Sequence, residues 1–469
     1  MYRDKIEQYF SDKEQELVAA ASRLIAIPSV TGEPMPGMPF GEGPARALDE
    51  ALKIAAEFGL AADHADGYVG TVDLGSQETA LHILTHLDVV DGGAGWTVTG
   101  PFSPKAADGL LYGRGADDDK GPAAAVLFAL RAVKELAVPL RYNARLILGT
   151  DEESGFRDIR HYYAAHPYAP YTFSPDAGFP VINIEKGHYR PAFSATWAPE
   201  TALPRVTAVR GGPRLNVVPP QAEAVLAGLT AGQAQPFCDR LSLETNARFC
   251  LTGQPDGLHI LCTGTGGHAA EPDKANNALT ALLSLLACLP LAQCESTRAI
   301  LSLHALFPHG DNRGRALGIE QSDALSGPLT AAFTMLTLGQ SGLEGRLDSR
   351  TPLCADDRNC RAAVEARLQR HGFAVTGFAE MKPPHHTPAD SPFVKTLLRC
   401  YEAYTGHKGA CIAIGGGTYV HGIPGGVAFG CSMPGFESNM HGPDERVRIA
   451  DLMLSCKMFT QVIIDLCGA

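Results

Sequence analysis

The sequence predicts an α/β protein: a split domain with a mostly parallel sheet covered by helices, plus an inserted α+β region. Three observations carry this expectation. Between residues 80 and 185, short apolar runs alternate with helical patterns, as parallel strands covered on both faces require. From about 188 to 381 the texture changes. After PPHHTPADSP (383–392) the helix–strand alternation resumes.

The elements follow in order. Residues 4–26 read as one amphipathic helix that stops before Pro28. LHILT (81–85) reads as a strand, GPAAAVLFALRAVKEL (121–136) as a helix with Pro122 in its first turn, and ARLILGT (144–150) as the next strand. The middle carries RVTAVRGG, AEAVLAGLTAG, LHILCTGTGG and a long apolar helix near NNALTALLSLLACL. FVKTLLRCYEAYTG, ACIAIGGGT and GVAFG then restore the first pattern.

Composition narrows the function. The 469 residues are 45% hydrophobic and 19% charged, enough for a large core. A net charge of −12 argues against a nucleic-acid or anionic-membrane partner, which needs a basic face. No apolar run approaches the roughly 18 residues of a spanning helix. The opening MYRDKIEQYFSDKEQELV is charged throughout and does not read as a secretory signal. All 12 cysteines lie between Cys238 and Cys467 without a C-x-x-C pair. They read as buried free thiols, and the expected location is cytoplasmic.

Acidic and histidine residues gather at the ends of predicted strands, where open parallel sheets place their sites. THLDVV carries His86 and Asp88, GRGADDDKG carries Asp117, Asp118 and Asp119, and GTDEESG carries Glu152 and Glu153. SPDAGFP carries Asp176, and SNMHGPDE carries His441. Singly, each has an ordinary explanation: a packed histidine, a helix cap, a solvated turn. Together they suit a borderline divalent ion such as zinc, which would neutralise their mutual repulsion. On a strand, His86 and Asp88 would point the same way, letting the aspartate receive the imidazole N–H. Two adjacent glutamates suggest one metal ligand and one proton acceptor.

These motifs resemble, in order, those of the di-zinc exopeptidase family of aminoacylases, carboxypeptidases, desuccinylases and dipeptidases, nearest its bacterial dipeptidase V (Xaa-His dipeptidase) branch. The resemblance covers about residues 20–450. It implies that Asp118 bridges two zinc ions (manganese or cobalt as alternatives), with His86 and Asp176 on one and Glu153 and His441 on the other. It further implies Glu152 as general base, Asp88 as partner of His86, and a cis peptide between Asp118 and Asp119. Residues 1–187 and 382–469 become the catalytic domain, and 188–381 the lid. In the lid, His268 (GTGGHAAEP) would support the reacting carbonyl and Arg350 (LDSRTP) would hold a substrate carboxylate. Asn216 (RLNVVPP) and Gly416, between Gly415 and Gly417 (IGGGTY), match substrate-side positions. Asp91 departs from the family's proline after HLDVV.

The implied activity is hydrolysis of short peptides with a free C-terminus by water held between two metal ions. An N-acyl amino acid amidohydrolase or a carboxypeptidase of the same family is the alternative. A non-catalytic binding protein on this fold would have lost a ligand or the base, and none is lost. The partner is a small peptide substrate, with no nucleic acid and no membrane. The enlarged lid favours a monomer, a homodimer being the alternative. Other chemistries lack their marks. Gly264, Gly266 and Ala269 imitate a dinucleotide fingerprint, but no acidic residue lies between Asp273 and Glu295. There is no G-K-[ST] phosphate loop, no G-x-S-x-G elbow and no H-E-x-x-H.

Overall fold

The computed structural model describes residues 2–377 and 379–469. Met1 and Phe378, inside the domain ranges given above, lie outside the described residues. The chain divides into two compact units: the first runs to Ile184 and adds His386–Ile412 and Gly417–Ala469, and the second is Glu185–His385 with Ala413–Gly416.

The sheet of the first unit runs in the order Ala61–Ala65, Val69–Asp73, Asn143–Gly149, Thr79–His86, Tyr171–Ser174, Val427–Ala428, Val181–Glu185. The four strands from Asn143–Gly149 to Val427–Ala428 pair parallel. The flanking strands pair antiparallel. Thr79–His86 is buried on both faces: Leu81 and Ile83 join the larger core, Leu84 the smaller one opposite. Leu146 and Leu148 against Ile147 repeat the alternation in the neighbouring strand. Two-sided burial explains the unbroken apolar runs, each leucine or isoleucine contributing about 1.5–3 kcal/mol. Lys120–Glu135 and Ile449–Cys467 cover the larger core.

The single amphipathic helix expected over 4–26 is two helices, Arg3–Phe10 and Glu14–Ile25. The break falls at Ser11, whose hydroxyl bonds the Gln8 carbonyl (2.8 Å) and competes with helix continuation. The later helix Pro392–Thr405 is capped by the Ser391 hydroxyl and ends at Gly406, φ 70°.

In the second unit an eight-strand path, pairing antiparallel throughout, runs Arg248–Gln254, Gly257–Thr263, Gln221–Ala227, Arg205–Gly211, Thr330–Gly339, Gly342–Thr351, Ala192–Thr196, Ala374–Thr376. One face is buried: Ala222, Ala224 and Leu226 and, beside them, Leu258, Ile260 and Cys262 point into the core. Ala278–Cys288 packs there, its start capped by the Asn277 side chain. The glycine segment after Gly257–Thr263 leads into the two-residue strand Gly267–His268, not into a helix. A pyrophosphate therefore finds no helix N-terminus there. Among the described residues, no helix is long and apolar enough to cross a membrane.

The end of Asn143–Gly149 is tight. A Cβ on Gly149 would stand 2.0 Å from the Tyr419 hydroxyl and 2.6 Å from Asp158 Oδ2. Gly149→Ala should cost about 1–3 kcal/mol through overpacking, read as a lowered urea midpoint at unchanged slope.

Candidate metal centre

The ends of the parallel strands bring the polar residues of the first unit together. His86 closes Thr79–His86, Glu152 and Glu153 follow Asn143–Gly149, and Asp176 follows Tyr171–Ser174. Asp118 lies just before the helix Lys120–Glu135 and is joined to Asp119 by a cis peptide. His441 sits in a loop at φ 63°, flanked by Asn439 (56°) and Asp444 (54°), so three non-glycine residues are left-handed there.

Two donor sets share one residue. His86, Asp118 and Asp176 form the first, and Asp118, Glu153 and His441 the second, with one ligand atom of each within 4.8 Å of the others. The two Asp118 oxygens divide between them: Oδ1 is 2.8 Å from His86 Nε2 and Oδ2 is 2.8 Å from His441 Nε2. Asp176 Oδ2 is 3.6 Å from His86 Nε2, and Glu153 Oε1 is 3.1 Å from His441 Nε2.

The three consecutive aspartates have three different surroundings. Asp117 accepts from the Ser432 hydroxyl (2.5 Å). Asp119, instead of capping the helix, accepts the His86 backbone N–H (3.0 Å), and its other oxygen is buried without a hydrogen-bond partner among the described residues. Asp118 alone faces both imidazoles.

Electrostatics identify what such a cluster lacks. Burial pushes the Asp176 carboxyl up to about 7, helped by Asp118. Burial likewise raises Glu152 well above the carboxylate range, with Asp176, Glu153 and Asp118 adding to it. For Asp118, burial is outweighed by hydrogen bonds from His441 and His86, and its pKa falls below the usual range. Burial disfavours a charged His441, yet Asp118 and Glu153 lift it to about 11. His86 is raised too, Asp176 and Asp118 overcoming its burial. When ionised, Asp118, Asp119, Glu152, Glu153 and Asp176 outnumber the two imidazoles even if both are protonated. The N/O donor set and this negative excess fit a pair of divalent cations.

His86 and Asp88 do not stand on one strand as the sequence suggested. The strand ends at His86, and Leu87 N–H turns to the Gly149 carbonyl (3.0 Å). His86 Nδ1 meets the Asp88 backbone carbonyl at 2.9 Å, while the nearer carboxylate oxygen is 3.5 Å away. That carboxylate also raises the His86 pKa, and it accepts the N–H groups of Glu152 (3.1 Å) and Glu153 (3.0 Å). Asp91, the departure from proline, uses its side chain locally on Gly93 N–H (2.7 Å).

The sequence reading missed Glu445, four residues beyond His441. It is fully buried, pairs with Arg114 (2.5 Å), and its Oε1 accepts N–H groups of Gly115 (2.9 Å), Asp117 (3.2 Å) and Asp118 (3.3 Å). The loop of His441 thus holds the turn of Asp118. Both partners lay inside quoted motifs, but an acid among acids carries no mark of facing backbone amides.

The remaining candidates belong to the second unit. Arg350 lies in Gly342–Thr351 and is 5% exposed. Its Nε and Nη2 donate to the two oxygens of Asp348 (2.8 and 3.0 Å), and Nη1 donates to the Gly415 carbonyl. Asn216 accepts the Ala269 N–H through its carbonyl (2.8 Å), and the next residue, Val217, pairs with His268. His268 Nδ1 accepts from Ala270 N–H (3.2 Å), which puts the proton of the neutral ring on Nε2. Gly415 packs on Ala270, so an added Cβ would stand 2.8 Å from the alanine methyl. At Gly416 it would meet only Ile414, at 3.7 Å.

Comparison with known proteins gives a consistent result. Residues 82–465 match the family model described as Peptidase family M20/M25/M40. A Bacillus subtilis (strain 168) protein, YtjP, is 35% identical over 464 residues, covering 97% of this chain and 98% of its own. The Beta-Ala-Xaa dipeptidase of Lactobacillus delbrueckii subsp. lactis is 30% identical over 431 residues, covering 91% and 90%. The crystal structure of human carnosine dipeptidase 1 superposes with a TM-score of 0.63 at 16% identity, covering 99% of each chain.

The donor sets imply proton release. His86 and His441 must lose the protons their raised pKa values retain before either nitrogen can ligate a cation. Titrating zinc into the metal-free protein should give heats that differ between buffers of unlike ionisation enthalpy. Apparent affinity should fall as pH is lowered. The metal should also raise the melting temperature, by about 2.7 kcal/mol of stabilisation at 100 times the Kd. Buffer-independent heats without a thermal shift would remove the metal reading.

Proposed function

The chain belongs to peptidase family M20/M25/M40, and we propose that it is a metal-dependent dipeptidase acting on short peptides with a free C-terminal carboxylate. One observation carries the reading: two N/O donor sets that share Asp118, with Glu152, a member of neither, near enough to feel Asp176, Glu153 and Asp118. The relative named Beta-Ala-Xaa dipeptidase supports the substrate class.

In this reading His86 and Asp176 would hold one ion, Glu153 and His441 the other, and Asp118 both. Zinc is the expected ion, with manganese or cobalt as alternatives. When bound, such ions supply Lewis acidity and a water acidified to a pKa of about 7.

The residues of the chain do the rest. Glu152 accepts a proton from the attacking water and delivers it to the leaving amine. Among the described residues no hydrogen bond ties its carboxylate down, which leaves both oxygens available to the water and the amine. We assign the first unit the catalytic role and the second the role of lid. His268 Nε2–H is the donor for the developing oxyanion. Arg350 receives the substrate carboxylate. Of its five N–H donors three are engaged by Asp348 and Gly415, which leaves two, one on each terminal nitrogen. Asn216 and Gly416 shape the substrate side of the lid.

Two experiments test this. Free dipeptides and their N-acetylated counterparts are incubated with zinc, manganese or EDTA and product amines are quantified. Metal-dependent cleavage of the free dipeptides is expected. Cleavage of the acylated set alone would make the protein an amidohydrolase. Glu152→Gln should keep its metal content and lose about 10²–10⁴-fold in kcat; retained turnover would overturn the assigned base.

A third experiment concerns Arg350. Amidation of the substrate C-terminus should cost wild type about 10–100-fold in kcat/KM, the value of a hydrogen-bonded charge pair. Arg350→Lys should lose most of that discrimination, because a point charge cannot reproduce the fork. Equal discrimination in the variant would place the carboxylate elsewhere.

A further inference from the structure

Four successive backbone N–H groups of the glutamate loop are each taken by a buried carboxylate from another part of the chain. Asp158 Oδ2 accepts from Thr150 (2.6 Å) and Asp151 (2.9 Å). Asp88 accepts from Glu152 and Glu153 through its two oxygens (3.1 and 3.0 Å). Both aspartates are fully buried.

Asp158 is itself held. It lies in the first turn of the helix Arg157–Ala165, and its Oδ1 accepts the Ile159 N–H (2.7 Å). The Tyr419 hydroxyl donates to Oδ2. Tyr419 comes from the IGGGTY segment, is 2% exposed, and stands edge-on to the His86 ring with centroids 6.2 Å apart. Asp151, between the two clamps, is bound by the Arg157 guanidinium (2.8 and 2.7 Å). Asp88 fixes the loop at Glu152–Glu153, and Asp158 fixes it one peptide earlier.

Without Asp158, Asp88 would still hold the amides of Glu152 and Glu153, but the Thr150 and Asp151 amides would lose their acceptor and the peptide planes leading into Glu152 could turn. We propose that Asp158, oriented by Tyr419, is a positioning residue that sets where the Glu152 carboxylate stands. It touches neither substrate nor the reacting atoms. The proposal rests on the reading of Glu152 as the base.

The test uses the full chain with Tyr419→Phe, Asp158→Asn and Glu152→Gln. Hydrogen exchange of the metal-free proteins reports on the loop without any turnover. Peptides spanning 149–156 should exchange faster in the first two variants and as wild type in Glu152→Gln. In the metal-loaded enzymes, kcat should fall about 10-fold for Tyr419→Phe and up to about 100-fold for Asp158→Asn, with KM within about twofold, as for a misplaced catalytic group. The visible spectrum of the cobalt-loaded protein should change as well, because Glu153 rides on the same loop.

Faster exchange with kcat and spectrum unchanged would overturn the proposal and leave Asp158 a stabilising residue. So would unchanged exchange. If Asp158→Asn fails to fold, Tyr419→Phe decides alone, since it removes one hydroxyl and keeps the ring. Retained turnover in Glu152→Gln would bring down the base assignment and this proposal together. Lost turnover there, with normal kcat in the other two variants, would overturn this proposal alone.

Discussion

The first unit is organised around the repulsion of carboxylates that the fold forces into one buried place. Parallel strands that end together deliver Asp176 and the two glutamates beside His86, and the helix start delivers the aspartate run. Burying like charges is unfavourable, and the two imidazoles relieve only part of it. The cluster is therefore poised to bind cations, and Asp118, facing both imidazoles, is where the opposing demands meet.

Loops that meet at such a place would drift apart unless held, and the holding is done through backbone amides. Glu445 gathers three N–H groups of the turn that carries Asp118. Asp119 takes the N–H of His86, and Asp88 takes those of both glutamates. In each case a buried side-chain carboxyl accepts from the main chain of a segment distant in sequence, in a setting shielded from water. Acidic residues thus serve two purposes in this unit: some face the centre, and others fix the peptide planes on which those residues are mounted.

That division sets how much was legible in the sequence. The α/β class followed from apolar runs such as 81–85 and 144–150, because strands buried on both faces leave no polar gaps. The residues of the two donor sets could be named because their motifs resemble, in order, those of a known family; only His86, Glu153 and Asp176 stand at or after the ends of parallel strands. The sequence could not separate Asp117, Asp118 and Asp119 by surroundings, since neighbours in the chain diverge once the peptide turns. Resemblance singled out Asp118, and the structure shows what the other two hold. The strand stops at His86, two residues before Asp88, so strand alternation does not account for how the Asp88 carboxylate comes near the ring. Asp158 and Tyr419, 261 residues apart, carry no local signal of their pairing. The break at Ser11 was missed because apolar periodicity continues across it while one hydroxyl bond ends the helix.

The return of Ala413–Gly416 to the second unit bears on how this architecture can diversify. That unit is not a clean cassette. Two separate stretches of chain compose it, and the shorter one supplies the Gly415 carbonyl that receives the Arg350 guanidinium, while Ile414 accepts from Lys186 N–H (2.9 Å). A transplant of residues 185–385 into a relative would carry the arginine but take the main-chain carbonyl that helps orient it from the recipient's own loop. Exchange of the whole unit therefore takes two coordinated replacements, whereas point changes within either stretch can arise one at a time.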